Sequence, residues 1–334
     1  MKNFTSSFDS VIKMRLIYNK KYNTLIMKTA ILIPCYNEEL TIEKVILDFK
    51  KTMPNADIYV YDNNSTDNSY EIAKNAGAIV KKEYRQGKGN VVRSMFRDID
   101  ADCYIMVDGD DTYPAGAALE IEELILSKKA DMVIGDRLSS TYFSENKRRF
   151  HNTGNRLVRK LINIIFGSDI SDIMTGMRGF SYEFVKSFPV SSKEFEIETE
   201  MTIFALNHNF LIKELPIEYK DRIDGSESKL NTFSDGYKVI NLLFGLFRDI
   251  KPLFFFSLVT LILLIIAGAY FFPVLIDFYK TGFVEKVPTL ITVGVVAIIA
   301  IIIFFTGVIL HVVRKQHDEN FEHHLMLIIQ NKKR

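Results

Sequence analysis

The stretch YIMVDGDDTYP, Tyr104 to Pro114, sets three carboxylates into four positions directly after an apolar run. A short apolar run stopped by glycine and aspartate reads as a buried strand entering a loop. Three jobs suit Asp108, Asp110 and Asp111 there: a solvated turn, an attacking carboxylate, or a pair of hard oxygen ligands. The surrounding sequence decides between them.

Working outward, the same pattern repeats. TAILIPCYN is an apolar run ending in a polar loop, and EELTIEKVILDFKKTM follows with Ile42, Val45, Ile46 and Phe49 at helical spacing. ADIYVYDNNSTDNS is a second strand and turn, and SYEIAKNAG a helix closed by Gly77. AIVKKEY is a third strand, GKGNVVRSMFRDI a helix opening on glycines, CYIMVDGDD the fourth strand, GAALEIEELILSKK a helix and ADMVIGDR the fifth strand. Strands alternating with helices predict an α/β domain on a mostly parallel sheet. Ligands of such sheets bind outside the carboxyl ends of the strands. The polar clusters fall there: Asn37-Glu38, Asp62 to Asp67, Asp108 to Asp111 and Asp136-Arg137. Four strand ends carrying polar groups predict one shared site.

Composition sets the wider limits. The 334 residues carry 42 basic and 41 acidic side chains, a balance that argues against a nucleic-acid partner. The two cysteines, Cys35 and Cys103, sit in apolar runs and read as reduced core thiols rather than a disulfide framework. The C-terminal third differs sharply. No charge falls between Pro252 and Ile276 or between Val287 and Val313. At about 1.5 Å per residue, each run crosses a hydrocarbon core of about 30 Å. Spans are predicted at 252–276 and 288–313. Arg248 and Lys251 precede the first, and Arg314 and Lys315 follow the second. That basic bias predicts a cell-membrane protein with both termini and the large domain in the cytoplasm. Val239, Ile240, Leu243, Leu246, Phe247 and Ile250 share one helical face, so 233–251 reads as an interfacial amphipathic helix. Met27 is a candidate start, which leaves 1–26 as a tail; 314–334 reads as a cytoplasmic tail.

As chemistry, Asp108 and Asp110 flank a glycine where the strand ends, so both can turn toward one cation. Two carboxylates suit Mg²⁺ or Mn²⁺, which fill their other positions with water and phosphate oxygens. VDGDDT also fits the hydrophobic-D-x-D-x-T pattern of haloacid-dehalogenase-type phosphatases, with Asp108 as nucleophile. That reading needs a second acidic pair, which VIGDRLSS lacks, and it leaves PCYNEE and DNNSTD without a role.

ILIPCYNEE, VYDNNSTDNS, RQGKGN, VDGDDTYP and TGMRGFS stand in the order seen in family 2 glycosyltransferases of the nucleotide-binding GT-A fold. EYKDRIDGSESKL ahead of membrane spans narrows this: the chain resembles the polyprenyl-phosphate glycosyltransferases over about Lys28 to Leu230. The resemblance implies a Rossmann-like GT-A catalytic domain over 27–232, followed by the interfacial helix and two transmembrane helices. It implies that Pro34, Tyr36, Glu38, Asp62, Lys88 and Asp108 line the nucleotide, with Asp108 and Asp110 holding the Mg²⁺ or Mn²⁺. Arg137, Arg148 and Arg149 would receive the lipid phosphate. Arg222, Ser228 and Lys229 would close over the diphosphate. Asp110, Arg137, Arg222 and Lys229 form the implied catalytic set. Glu198 and Glu200, within one helical turn, are candidates to face the sugar. DNNSTD departs from the usual DDGSTD at Asn63, and Thr112 stands where some relatives carry a glutamine on the metal.

An acceptor phosphate is already an anion at neutral pH and needs cationic positioning rather than a general base. The expected reaction is therefore inverting transfer of a sugar from a nucleoside diphosphate sugar to a polyprenyl phosphate, undecaprenyl or dolichyl, at the cytoplasmic face. UDP-glucose or UDP-N-acetylglucosamine is the expected donor, with GDP-mannose the alternative. Self-association through the membrane region is a further expectation. A polysaccharide synthase of the same fold would carry a Q-x-x-R-W motif, and this chain has no tryptophan.

Overall fold

The computed structural model describes residues 27–138, 149–194, 196–220, 244–245 and 247–332, for 149–157 as backbone only. Two compact units are distinguished: Met1–Lys147 with Met174–Ile197 and Phe210–Glu227, and Arg148–Ile173 with Glu198–Asn209 and Ser228–Arg334. Segments 148–173 and 198–209, inside the stretch read as one domain, thus group with the C-terminal helices.

The first unit is built on β1 (Thr29–Cys35), β2 (Asp57–Asp62), β3 (Ile79–Lys82), β4 (Cys103–Met106), β5 (Met132–Asp136), β6 (Arg178–Ser181) and β7 (Ile212–Pro216). They form one sheet in the order β3-β2-β1-β4-β6-β5-β7. Pairing is parallel except that β6 runs antiparallel to both β4 and β5. Helices α1 (Ile42–Thr52), α2 (Ser69–Asn75), α3 (Lys88–Asp98), α4 (Ala117–Leu126) and α6 (Tyr182–Ser187) belong to this unit; α5 is given below.

The expected α/β architecture on a mostly parallel sheet is what the structure has. The unbroken apolar run of β1 follows from burial on both faces: Ala30, Ile31, Leu32 and Ile33 are all inaccessible to solvent. Helix α1 buries the four residues whose spacing predicted it. Cys35 and Cys103 are both buried, and burial pushes the Cys103 thiol well up. β6 was not expected as a strand. Its sequence, RGFS, contains an arginine and a glycine, yet all four residues are buried.

The topology positions the site. The chain runs outward from β1 through β2 to β3, then returns to place β4 on the other side of β1. Loops leaving β1 and β4 therefore set out in opposite directions, and it is outside the carboxyl ends of strands at such a switch point that ligands of open α/β sheets bind.

The second unit holds α5 (Arg149–Phe166), most of α7 (Ile197–Asn207), α8 (Pro252–Thr281) and α9 (Val287–Lys332). Helices α8 and α9 are long and apolar enough to cross a membrane. They pack through small residues: Thr260 Oγ1 donates to the Ala300 carbonyl at 3.2 Å, and Gly307 faces Phe256. The first helix runs past Ile276 to Thr281. The second does not stop at Val313 but continues to Lys332, so the segment read as a tail is helical almost to its end. At about 1.5 Å per residue the 46 residues of α9 exceed a bilayer's thickness about twofold. Of the expected interfacial helix, 233–243 lies outside the described residues; 247–250 are helical.

Past the membrane-length part, α9 presents Arg314, Asp318, Phe321, Leu325, Ile328 and Ile329 as its less exposed positions. The four-three alternation of the first five is that of a helix seam. Phe321 meets the ring of His208, just beyond α7, at 3.7 Å between centroids, and Phe204 edge-on at 5.5 Å. Burial drives the His208 pKa down to about 4, with nearby Arg314 and His317 acting the same way and Asp318 opposing. A depressed histidine contributes stability that is present above its ordinary pKa, near 6.5, and lost as pH falls toward 4. Amide protection over 314–332, corrected for the intrinsic pH dependence of exchange, is accordingly expected to be high at pH 7.5 and to fall between pH 6.5 and 4. In His208→Phe that fall should disappear.

Candidate active site

The loops at the strand ends expected to carry the site are joined to one another by hydrogen bonds. Hydrogen bonds extend the sheet beyond the strands: Val107 N–H donates to the Leu32 carbonyl (3.0 Å), Asn63 N–H to Cys35 (2.8 Å) and Glu83 N–H to Asp62 (2.8 Å). The loops after β1 and β2 are then laced together. Asn37 N–H donates to Ser65 Oγ at 2.9 Å, Glu38 N–H to Ser69 Oγ at 2.7 Å, and Thr66 N–H to Asn37 Oδ1 at 2.8 Å. Thr41 Oγ1 ties the β1 loop to the β4 loop through the Gly109 carbonyl, at 2.7 Å. Asn37, Asn64 and Asp111 hold left-handed backbone (φ 52°, 61° and 58°), one in each of the loops after β1, β2 and β4. Asn and Asp tolerate that conformation better than other side chains.

Within this frame Lys88, the first residue of α3, reaches Asp108: its Nζ lies 2.6 Å from Oδ1, and only 10% of the lysine side chain is exposed. Asp110 is 3% exposed, and its Oδ1 accepts from both Thr112 Oγ1 (2.6 Å) and Thr112 N–H (3.3 Å). Thr112 thus aims the aspartate. Asp111 turns away and pairs with Lys44 at 2.5 Å. Of the three carboxylates in the opening stretch, Asp108 pairs with the first residue of α3, Asp110 is held within its own loop, and Asp111 pairs with a half-exposed lysine of α1.

Asn63, a departure from the usual motif, has a structural job. Its amide donates to the carbonyls of Glu83 (2.9 Å) and Arg85 (2.8 Å), and its Oδ1 accepts from Gly87 N–H (2.7 Å). A carboxylate could make only the last of these bonds. Asn63→Asp is expected to cost about 2 kcal/mol, since one buried and one part-buried carbonyl lose their donor. Faster amide exchange at 83–88 would report it. The loop that Asn63 holds also fits tightly against a second segment. A Cβ on Gly89 would lie 2.2 Å from the Ser192 carbonyl oxygen, and one on Gly87 (φ 121°) 2.2 Å from that of Lys193. Backbone cannot yield there, so glycine is required at both positions.

Among the described residues, two buried side-chain oxygens have no hydrogen-bond partner: Asp62 Oδ1 and Glu196 Oε2. Asp62 is 2% exposed, with Oδ2 accepting from Ser65 N–H at 3.3 Å. Both residues adjoin the contacts of the Gly87–Gly89 loop, Asp62 next to Asn63 and Glu196 three residues beyond Lys193. Buried carboxylate oxygens without donors are costly unless a ligand supplies them. Glu196 carried no sequence signal that set it apart from Glu198 and Glu200.

Arg137, after β5, enters the same cluster through two tyrosines. Its guanidinium approaches Tyr113 Oη (3.4 Å) and lies 5.3 Å from the centre of the Tyr219 ring. Tyr113 Oη accepts from Gly176 N–H at 2.8 Å, and its ring meets Tyr219 edge-on. Burial raises the Tyr113 pKa, so the phenol stays protonated. Gly176 lies against Asp108: a Cβ there would be 2.0 Å from Oδ2. Arg178, two residues on, is fully buried, donates from Nε to the Thr175 carbonyl at 3.1 Å, and sits opposite Met106 at the end of β4. Tyr113, Tyr219, Gly176 and Arg178 were not singled out from sequence. Their roles depend on strands that are distant along the chain.

Pro34, Tyr36, Glu38, Asp62, Asp108, Asp110 and Arg137 therefore lie on loops or strand ends at the carboxyl edge of the sheet, and Lys88 on the first turn of α3. Arg148, Arg222, Ser228 and Lys229 lie outside the described residues, as does the side chain of Arg149. Glu198 and Glu200 fall on the part of α7 that groups with the second unit.

Residues 30–188 match the family described as Glycosyl transferase family 2. Glycosyltransferase AglJ of Haloferax volcanii is 35% identical over 68% of this chain and 74% of its own length. The chain belongs to glycosyltransferase family 2. A dolichyl-phosphate hexose transferase of the same organism is 30% identical to this transferase, over 62% of this chain and 88% of its own. The transferase's GT-A fold is shared with the glucosyl-3-phosphoglycerate synthase of Mycobacterium tuberculosis, solved in complex with uridine diphosphate: TM-score 0.56, 18% identity, covering 66% of this chain and 80% of that one. The same synthase has been solved with Mn²⁺ and UDP-glucose.

As a cation site the donor set is a pair of hard carboxylates on either side of Gly109. No group of three or more His, Cys, Asp or Glu side chains able to hold a metal occurs among the described residues. That set suits Mg²⁺ or Mn²⁺ shared with phosphate oxygens, and it does not suit a metal wholly enclosed by protein.

Proposed function

We propose that this transferase moves a sugar, with inversion, from a UDP-sugar (glucose or N-acetylglucosamine) to a polyprenyl phosphate at the cytoplasmic face of the membrane. The observation that carries the reading is the carboxylate pair and its lysine at the carboxyl edge of a GT-A sheet, in a chain that also has two membrane-length helices. The named lipid-phosphate relative supports the acceptor class.

In this reading Asp62 Oδ1 and Glu196 Oε2 accept hydroxyl groups of the donor, which satisfies the two unpartnered oxygens. Lys88 holds Asp108 in place and adds positive charge beside the diphosphate. Asp108 and Asp110 are the protein ligands of a divalent cation, which when bound neutralises charge on the departing diphosphate. The acceptor phosphate needs no base. Arg137, Arg148 and Arg149 position it, and Arg222 and Lys229 close over the diphosphate. A phosphate oxygen of the lipid forms the new bond to the anomeric carbon as the bond to the donor's β-phosphate oxygen breaks. UDP leaves with that electron pair.

The direct test supplies membranes containing the protein with labelled nucleotide sugars, one at a time, and extracts the lipid. Label from a UDP-sugar is expected in a mild-acid-labile lipid. Label from GDP-mannose alone would replace the donor assignment, and absence of lipid label from every sugar would overturn the proposal.

A further inference from the structure

Two basic residues at the membrane border do more than bias orientation. Lys251, the N-cap of α8, donates to the carbonyl of Ile165 in the last turn of α5. Arg314, the first charged residue after the second apolar run, uses all three guanidinium nitrogens. Nε donates to Asp318 Oδ1 (2.9 Å), Nη1 to the Asp249 carbonyl (3.1 Å), and Nη2 to Oδ1 of Asn207, the last residue of α7. One side chain thus joins the approach to the first span, the exit of the second and the end of α7. Seven residues further along the same seam, Phe321 packs on His208 and Phe204.

Helix α7 is bracketed along the chain by the catalytic unit. It follows the Ser192–Lys193 segment that abuts Gly87 and Gly89, and β7 begins five residues after it. It carries Glu198 and Glu200. We propose that the post-membrane part of α9, through Arg314 and Phe321, is a strut that ties α7 to the membrane-length helices and positions it for transfer. Arg314 and Phe321 act through α7 as positioning residues. A planar fork is needed to serve three acceptors on three elements at once, so lysine cannot replace Arg314.

The proposal takes sugar transfer from the reading above, but its first readout is independent of it. Full-length protein in bilayers is compared as wild type, Arg314→Ala, Arg314→Lys, Phe321→Ala, Phe321→Leu and the exposed neighbour Lys315→Ala. Amide exchange over 199–207 is expected to rise tenfold or more in both alanine variants and in Arg314→Lys. Strands β1 and β4 should be unchanged, as should every segment in Lys315→Ala. Phe321→Leu keeps the bulk and loses the ring contact, so an intermediate rise of about threefold is expected. With the donor that labels lipid, kcat should fall about tenfold in Arg314→Ala while the donor KM stays within twofold, because Asp62 and Lys88 lie elsewhere. A general loss of folding would instead raise exchange in β1 and β4 as well. If the alanine variants do so, Arg314→Lys and Phe321→Leu carry the test. Unchanged exchange over 199–207 in those variants, or a loosened α7 with unchanged kcat, would overturn the strut. Failure of the wild type to transfer any sugar would overturn the proposed function and leave the exchange result standing.

Discussion

Asp110→Asn is expected to lower sugar transfer by at least about a hundredfold, at a cost in stability below about 1 kcal/mol. The substitution is nearly isosteric. Both Thr112 donors approach Oδ1, and an asparagine oxygen would still accept them, so the loop keeps its shape. What disappears is one negative charge at the proposed cation site. Metal-dependent binding of UDP, followed by titration with Mn²⁺, should be lost in parallel with transfer. Asp111→Asn is the internal control. Its Lys44 partner is about half exposed, and such surface pairs contribute about 0–1 kcal/mol. Transfer by that variant should match the wild type. Full activity of Asp110→Asn without added metal would refute the carboxylate clamp.

Gly176→Ala should be almost as damaging, for a steric reason. The added methyl would sit 2.0 Å from Asp108 Oδ2 and 2.6 Å from its Cγ. Gly176 does not have left-handed backbone, so alanine brings no torsional penalty there. The atoms it meets are the end of a rotatable side chain, which can swing aside, and overpacking of this kind costs about 1–3 kcal/mol. The fold survives, but Asp108 moves and its 2.6 Å contact with Lys88 is lost with it. Transfer is expected to fall by about two orders of magnitude, with weakened UDP binding and unchanged exchange in β1 and β2. A wild-type KM and kcat in Gly176→Ala would mean that the position of Asp108 is not critical. Gly89→Ala makes a useful contrast. Its methyl meets backbone rather than a side chain, so damage should spread to 190–194.

Local sequence determined the alternation of strands and helices, the two long apolar helices and the polar strand ends, because each is written in short-range periodicity. The buried face of α1 could be read from four residues, and the polar strand ends from apolar runs that stop in acids and asparagines. Three kinds of feature were not legible. A four-residue antiparallel strand containing Arg178 has no periodic signal, and only its neighbours β4 and β5 make it a strand. Asn63 looked like a weakened acidic motif, whereas its three hydrogen bonds reach a loop twenty to twenty-four residues away. Asp111 was indistinguishable in sequence from its neighbours until Lys44 was seen beside it.

Arg314 shows the same division. In sequence it marks the end of an apolar run and counts toward a charge bias. In the structure its three nitrogens engage three separate elements. Composition and spacing report what a residue prefers, whether water, lipid or a helix face. Which acceptors stand within hydrogen-bond reach of it depends on contacts between segments far apart in the chain. The sequence by itself determined the elements, the membrane-length helices and the chemistry available at the strand ends. Only the tertiary structure decided what each carboxylate pairs with, which glycines let backbones meet, and which charges serve as struts, because close approach is a property of pairs of segments rather than of either one.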